Sequence, residues 1–94
     1  MKFDWDPGKS EKNRQERGFG FDYAALIFLG NTLENPDRRI DYGEERIRAL
    51  GVVEGRFLAV TYTMRDDVHW IISAHPASRR DRDVYRQTFP ENLE

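Results

Sequence analysis

The sequence predicts a small α+β domain, an antiparallel β-sheet flanked by two N-terminal helices and one C-terminal helix. Three observations carry that prediction. Helix-capping signals punctuate the first 30 residues. From about Thr32 the apolar pattern changes from a helical period to strand-length runs rich in β-branched and aromatic residues. After Pro76 a new capping signal opens a helix dense in arginine. Cores of this size seldom divide, so residues 1–94 are read as one domain.

The elements follow in order. Asp6 before Pro7 has the form of an N-cap with proline at the first helical position, and Gly18 closes a first helix over about residues 7 to 17. That helix is almost wholly polar and belongs at the surface, held at its ends by Trp5 and the aromatics of FGF. In FDYAALIFLG, Phe21, Ala24, Ala25 and Phe28 share one face of a short apolar helix that Gly30 ends. ERIRALGVV, RFLAVTYT and VHWIISAH then read as three strands of a meander, separated by EG and MRDD turns. In the third strand, alternation places Val68, Trp70, Ile72 and Ala74 on one face and His69, Ile71 and Ser73 on the other. LENPDRRIDYGE has room for a short edge strand. Pro76 is expected to stop the sheet, and the S-x-x-D spacing of Ser78 and Asp81 starts a helix at about residue 79. On that helix Arg79, Arg82 and Arg86 share a face, with Val84, Tyr85 and Phe89 docking the other side. The tail PENLE is expected to fray.

Composition narrows the function classes. With 38% apolar and 13% aromatic residues the chain can build a core despite its 34% charged content. The absence of cysteine excludes disulfides, thiolate metal sites and cysteine nucleophiles, and it fits a reducing cytoplasm. The N-terminus lacks a signal-peptide core, and no apolar run approaches the roughly 18 residues of a membrane span, so a cytoplasmic protein without membrane contact is expected. A formal net charge of −2 argues against a generally basic nucleic-acid binder. Any polyanion site must be local.

The stretch from Arg79 to Arg86 supplies such a site, with four arginines in eight residues. Guanidinium groups bind phosphate bidentately and stay charged at every relevant pH, so they can both position a phosphodiester and neutralise charge that builds up on it. Asp81 and Asp83 are interleaved, however, and such a mixture also describes a salt-bridged, solvated face. His75, at the junction of strand and helix, is placed to act as a general acid or base. Arg65 in the MRDD turn and Lys9 on the first helix are further cations that a fold could bring alongside. His69 and His75 lack the spacing of a metal site and are read as facing opposite sides of the strand, so no metal or other cofactor is expected. There is no P-loop, dinucleotide fingerprint or nucleophile elbow.

Five short motifs in order carry a resemblance. They are W-D-x-x-K-x-x-x-N in Trp5, Asp6, Lys9 and Asn13; G-x-x-F with small residues in Gly18, Phe21, Ala24 and Ala25; G-E-E-R in Gly43 to Arg46; Y-T-x-R in Tyr62, Thr63 and Arg65; and I-S-A in Ile72 to Ala74. Together they resemble the BrnT family, toxins of BrnT/BrnA type II toxin–antitoxin modules, over roughly Phe3 to Tyr85. The resemblance implies a RelE-like fold and a ribonuclease that arrests translation. It also implies a BrnA-like ribbon-helix-helix antitoxin as partner, a heterotetrameric complex, and contact with operator DNA through the antitoxin alone. Where family members carry basic residues directly after I-S-A, this chain has His75 and Pro76, and the usual Glu at the start of the last helix is Asp81.

On this reading the enzyme is a metal-independent endoribonuclease in which a ribose 2′-hydroxyl attacks the adjacent phosphate. Arg65, Arg79 and Arg82 stabilise the phosphorane, and His75 assists proton transfer. Lys9, Arg80 and Arg86 hold the RNA backbone, and Tyr85 is weighed as a base-stacking residue against a role in the core. The competing class is a non-catalytic interaction module whose arginine face docks an acidic partner or works only inside a repressor complex.

Overall fold

In the computed structural model, residues 1–38, 41 and 43–92 are described. The element order is β1 (Lys2–Trp5), α1 (Pro7–Arg17), α2 (Phe21–Ala24) continuing into a 3₁₀ turn (Ala25–Leu29), β2 (Leu33–Asp37), β3 (Arg46–Val53), β4 (Arg56–Arg65), β5 (Val68–Pro76) and α3 (Arg79–Thr88). The five strands form one sheet in the order β1-β5-β4-β3-β2, antiparallel throughout except that β1 runs parallel to β5. The α+β prediction holds, with helices on both faces.

The first helix starts where the sequence placed it. The Asp6 carboxylate accepts the Gly8 and Lys9 backbone N–H groups, and the Gly18 N–H closes the helix on the Arg14 carbonyl. Its tie to the body is polar. The buried Asn13 side chain donates to the Phe19 carbonyl, and Ser10 Oγ accepts the Phe21 N–H. The second helix differs from expectation, because it tightens after one turn. Phe21, Ala24 and Ile27 are its buried residues, spaced by the three of a 3₁₀ helix, while Ala25 and Phe28 are only partly buried. These side chains close one face of the sheet over Ala49, Val53, Leu58, Val60, Tyr62, Ile71 and Ala74. On the other face Tyr85 of α3, with Phe89 and Ala77 beside it, covers Leu50, Ala59 and Phe57.

One strand prediction needs correction. Between Thr61 and Tyr62 the register of β4 and β5 shifts: Thr61 pairs with Ser73 and Tyr62 with Ile71, so Ile72 is the extra residue of a β-bulge. Strict alternation therefore fails. His69, Ile71 and Ala74 face the N-terminal helices, whereas Val68, Trp70, Ser73 and His75 face the α3 side. His69 and His75 do lie on opposite faces, and the bulge is the reason, since residues six apart in a regular strand share a face. Pro76 ends the sheet as expected: it is the last residue of β5 and pairs with Leu58. The next residue donates from the Ala77 N–H to the Phe57 carbonyl at 2.9 Å, which makes Leu58 and Pro76 a pair without ladder hydrogen bonds between them. The missing proline donor therefore points away from β4, on a side where the pairing of β1 has already ended at Ile71.

The edge strand expected in LENPDRRIDYGE is β2, with Pro36 tolerated at the sheet margin; residues 39, 40 and 42 of that segment lie outside the described residues. Of the tail, Pro90–Asn92 make a 3₁₀ turn, and residues 93 and 94 lie outside the described set. β1 was not foreseen. Among the described residues no helix is long and apolar enough to cross a membrane.

Candidate active site

Pairing and alternation assemble the polar face. Arg48, Thr61 and Ser73 form one row across β3, β4 and β5, and Leu50, Ala59 and His75 form a second. α3 covers the Leu50–Ala59 end. Towards the other end, Arg46 follows Arg48 by alternation on β3, Thr63 pairs with Trp70, and Arg65 extends the same side of β4. The opposite face is apolar and closed by helices, so this chain's clustered cations and hydroxyls are sorted to one side of the sheet.

The electrostatics are tightly balanced. Arg48 Nη2 lies 2.6 Å from Asp81 Oδ2 and ties β3 to the first turn of α3, where Ser78 Oγ also accepts the Asp81 N–H. The Arg65 guanidinium stacks 4.7 Å from the Trp70 ring centre, with Glu44 3.8 Å away. Arg86 lies over Phe57 at 4.8 Å and near Asp83 at 3.7 Å. Arg79 and Arg80 are exposed and form no ion pair among the described residues.

The hydrogen bond from Arg48 holds the Asp81 carboxyl below its ordinary range, against a smaller opposing effect of burial. Because the folded-state value is lowered, the stabilisation is complete above the unfolded value of about 3.9 and is lost as pH falls below it. Wild type should lose more stability between pH 5 and pH 2 than Asp81→Asn does, by about 1 kcal/mol in urea unfolding. Equal losses would mean that the pair does not couple folding to pH.

The structure brings some of the sequence-derived residues together and separates others. His75 is on the α3 face beside Ala59, and its Nδ1 lies 2.9 Å from the Pro76 carbonyl. A carbonyl only accepts, so Nδ1 carries the proton and Nε2 is left as the basic nitrogen. Arg82 was expected on the exposed side of α3. It is instead partly buried on the docked side, one turn before Arg86, with its Nε covered and without a hydrogen-bond partner among the described residues. Val84, expected to dock, is 41% exposed. Tyr85 is 2% exposed, and its hydroxyl donates to the Asn31 carbonyl at 2.8 Å, so it is a core residue and cannot stack a base in this conformation. Lys9 is exposed on α1, and its side chain forms no ion pair among the described residues. Arg46, Arg48 and Trp70 were missed as site residues. The signal was present, since R-I-R at the head of an alternating strand puts both arginines on one face. Among the described residues no group of three or more His, Cys, Asp or Glu is placed to hold a metal ion.

The model of the family described as "Ribonuclease toxin, BrnT, of type II toxin-antitoxin system" matches residues 5–81. The chain belongs to the BrnT family. No curated protein matches it. Membership makes this BrnT chain a toxin of the ribonuclease type, paired with an antitoxin. The match ends within the first turn of α3, so it covers Arg65, His75 and Arg79 and leaves Arg82 and Arg86 beyond it.

Proposed function

We propose that this BrnT chain is a metal-independent endoribonuclease that arrests translation in the cytoplasm, and that its working surface is the α3 face of the sheet. The observation that carries this reading is the sorting of Arg48, Arg65 and His75 to one sheet face, beside the helix that bears Arg79 and Arg82. RNA cleavage without a metal needs a base for the 2′-hydroxyl, cations around the phosphorane and a proton for the leaving 5′-oxygen. Neutral His75 accepts the 2′-hydroxyl proton at Nε2. The 2′-oxygen then bonds to phosphorus, the bond to the 5′-oxygen breaks as the proton taken up by His75 is passed to that oxygen by way of solvent, and a 2′,3′-cyclic phosphate remains on one fragment. Arg79 and Arg82 neutralise the charge on the equatorial oxygens. Arg65, six residues along β4 from the Ala59 that pairs with His75, lies about 20 Å away and is placed to hold the RNA backbone farther along the strand. Arg80 and Arg86 line the approach of the RNA. Tyr85 leaves the RNA-contact set because it is buried, and nothing in the geometry supports Lys9 within it.

The antitoxin on this reading is a BrnA-like ribbon-helix-helix protein. It forms a heterotetramer with the toxin, covers this face, and supplies all contact with operator DNA.

Incubation of partner-free protein with end-labelled RNA in EDTA tests the activity. Fragments with cyclic phosphate ends are expected, with the rate reduced about a hundredfold in Arg79→Ala/Arg82→Ala. Unchanged cleavage by the double variant would remove these arginines from the mechanism. The second reading, a binding module, draws support from the carboxylates already paired with Arg48, Arg65 and Arg86. If well-folded protein neither cuts RNA nor slows growth when expressed alone, that reading replaces the enzyme.

A further inference from the structure

Trp70 lies on the α3 face of the sheet, yet among the described residues it belongs to neither hydrophobic core. An indole is one of the largest apolar surfaces a chain can bury, and the other tryptophan, Trp5, does pack against the core under the N-terminal helices. Trp70 sits beyond the part of the face that α3 covers. Its cross-strand partner Thr63 is four residues along β4 from Ala59, where Tyr85 docks.

What Trp70 holds is Arg65. Arg65 pairs with Val68 and Thr63 with Trp70, so the two side chains are diagonal neighbours on adjacent antiparallel strands, within reach of each other. The guanidinium lies over the indole, 4.7 Å from its centre. A two-residue turn, with Asp66 at a left-handed φ of 55°, joins the strands and fixes the register of the pair. Elsewhere Arg56 lies over Phe19 and Tyr23, and Arg86 over Phe57, rings that belong to the two cores, so those arginines cover apolar surface of the fold. Arg65 covers none of it. Half of its side chain is exposed, as expected of a plane covered on one side only. The proposed mechanism uses only its charge, and that charge is offset by Glu44 at 3.8 Å. A carboxylate there weakens the attraction for a phosphate, whereas a neutral flat ring meets no such repulsion.

We infer that Arg65, backed by Trp70, is a stacking site for one nucleobase of the RNA. The base lies on the outer face of the guanidinium, completing a layer of indole, cation and base. The inference rests on the ribonuclease reading for the identity of the ligand, and gives the contact farther along the strand a base as well as a backbone group. Neither side chain takes part in bond making. Every base has a π-face, so the site adds affinity without choosing a sequence.

The test is binding of a short 2′-O-methylated single-stranded RNA, which cannot be cleaved, compared by fluorescence anisotropy with its counterpart from which every base is removed. For the base-bearing strand, Trp70→Ala and Arg65→Lys should each bind about tenfold more weakly than wild type, and the double variant should lose little more. Arg65→Lys keeps the charge and loses the flat face, so its affinity for the base-free strand should change less than about twofold. Equal losses on both strands, or no loss on the base-bearing one, would overturn the stacking site. If wild type binds neither strand, the ribonuclease reading fails separately. Titration with uridine monophosphate and with inorganic phosphate, followed by NMR at the Trp70 indole N–H and assigned by its loss in Trp70→Phe, then decides the site. A saturable shift with the nucleotide alone sustains it, and a shift with both or with neither overturns it.

Discussion

Replacing Tyr85 with alanine is expected to cost about 4 kcal/mol in urea unfolding, whereas Tyr85→Phe should cost about 1 kcal/mol. The large term is packing. Tyr85 is 2% exposed, meets Phe57 edge-on with ring centres 5.8 Å apart, and lies 5.1 Å from the Phe89 ring. It is the one fully buried side chain that α3 sends onto the sheet, over Leu50 and Ala59. The small term is the hydroxyl, whose hydrogen bond to the Asn31 carbonyl ties α3 to the segment before β2. Without the ring, the helix keeps the Arg48–Asp81 pair, a partly exposed contact too weak to hold it alone. Arg79 and Arg82 would then lose their fixed relation to His75, so residual folded Tyr85→Ala protein should cut RNA poorly. A destabilisation below about 1.5 kcal/mol for the alanine variant would show that α3 is held by other contacts.

Local chemistry that acts within a few residues was legible. Asp6, Pro7 and Gly18 set the bounds of α1, and Ser78 sets the start of α3, because caps satisfy backbone groups one turn away. The three long strands could be read from their apolar runs. β1 could not, since Lys2–Trp5 is a four-residue edge strand that gains its partner only when β5 arrives alongside it. The Ile72 bulge was also invisible, because it depends on how β4 and β5 pair and not on the composition of β5.

The bulge matters most for the site. In a strand without it, His75 would face the same side as His69 and Ile71, under the N-terminal helices and away from the arginines. The inserted residue turns Ser73 and His75 over to the face of Thr61 and Arg48. The same logic explains Arg82. A helical wheel fixes its angle to Arg79 and Arg86 but not the angle of the helix to the sheet, and that second angle is set by Tyr85 and Phe89.

Several residues of the family-like motifs are accounted for by folding. Asp6 caps α1, and Asn13 holds the Phe19 carbonyl. Tyr62 packs in the core with its hydroxyl donated to Glu34, and burial first, then that carboxylate, pushes its ionisation above the ordinary range. Thr63 holds the Glu45 carbonyl, and Ala74 is fully buried. At the head of β3, Glu44 Oε1 lies 3.9 Å from Arg46 Nε and 3.8 Å from Arg65 Nη2, so these motif residues too have partners within the fold.

Gly51 tests the packing of the other layer, and propensity and sterics there predict opposite signs. Gly51 lies inside β3, paired with Leu58, where exchange for valine would ordinarily gain up to about 1 kcal/mol from reduced backbone freedom and strand preference. A Cβ at this position, however, would meet the Ile27 Cβ at 2.6 Å and its Cα at 3.4 Å. Ile27 is fully buried in the 3₁₀ turn, so the neighbour is no flexible side-chain end that can swing aside. The turn itself would have to lift off the sheet, taking contacts with Ala49 and Val53 with it. Overpacking of this kind typically costs about 1–3 kcal/mol, and the two γ-methyls of valine place the result at the upper end. Gly51→Val should therefore lose about 3 kcal/mol, and Gly51→Val/Ile27→Ala should recover part of that loss, because the second change trims the side chain that presses on the first. Strictly additive losses in the double variant would show that the strain is not at this contact, and a stabilised single variant would show that strand preference outweighs the close approach of the turn.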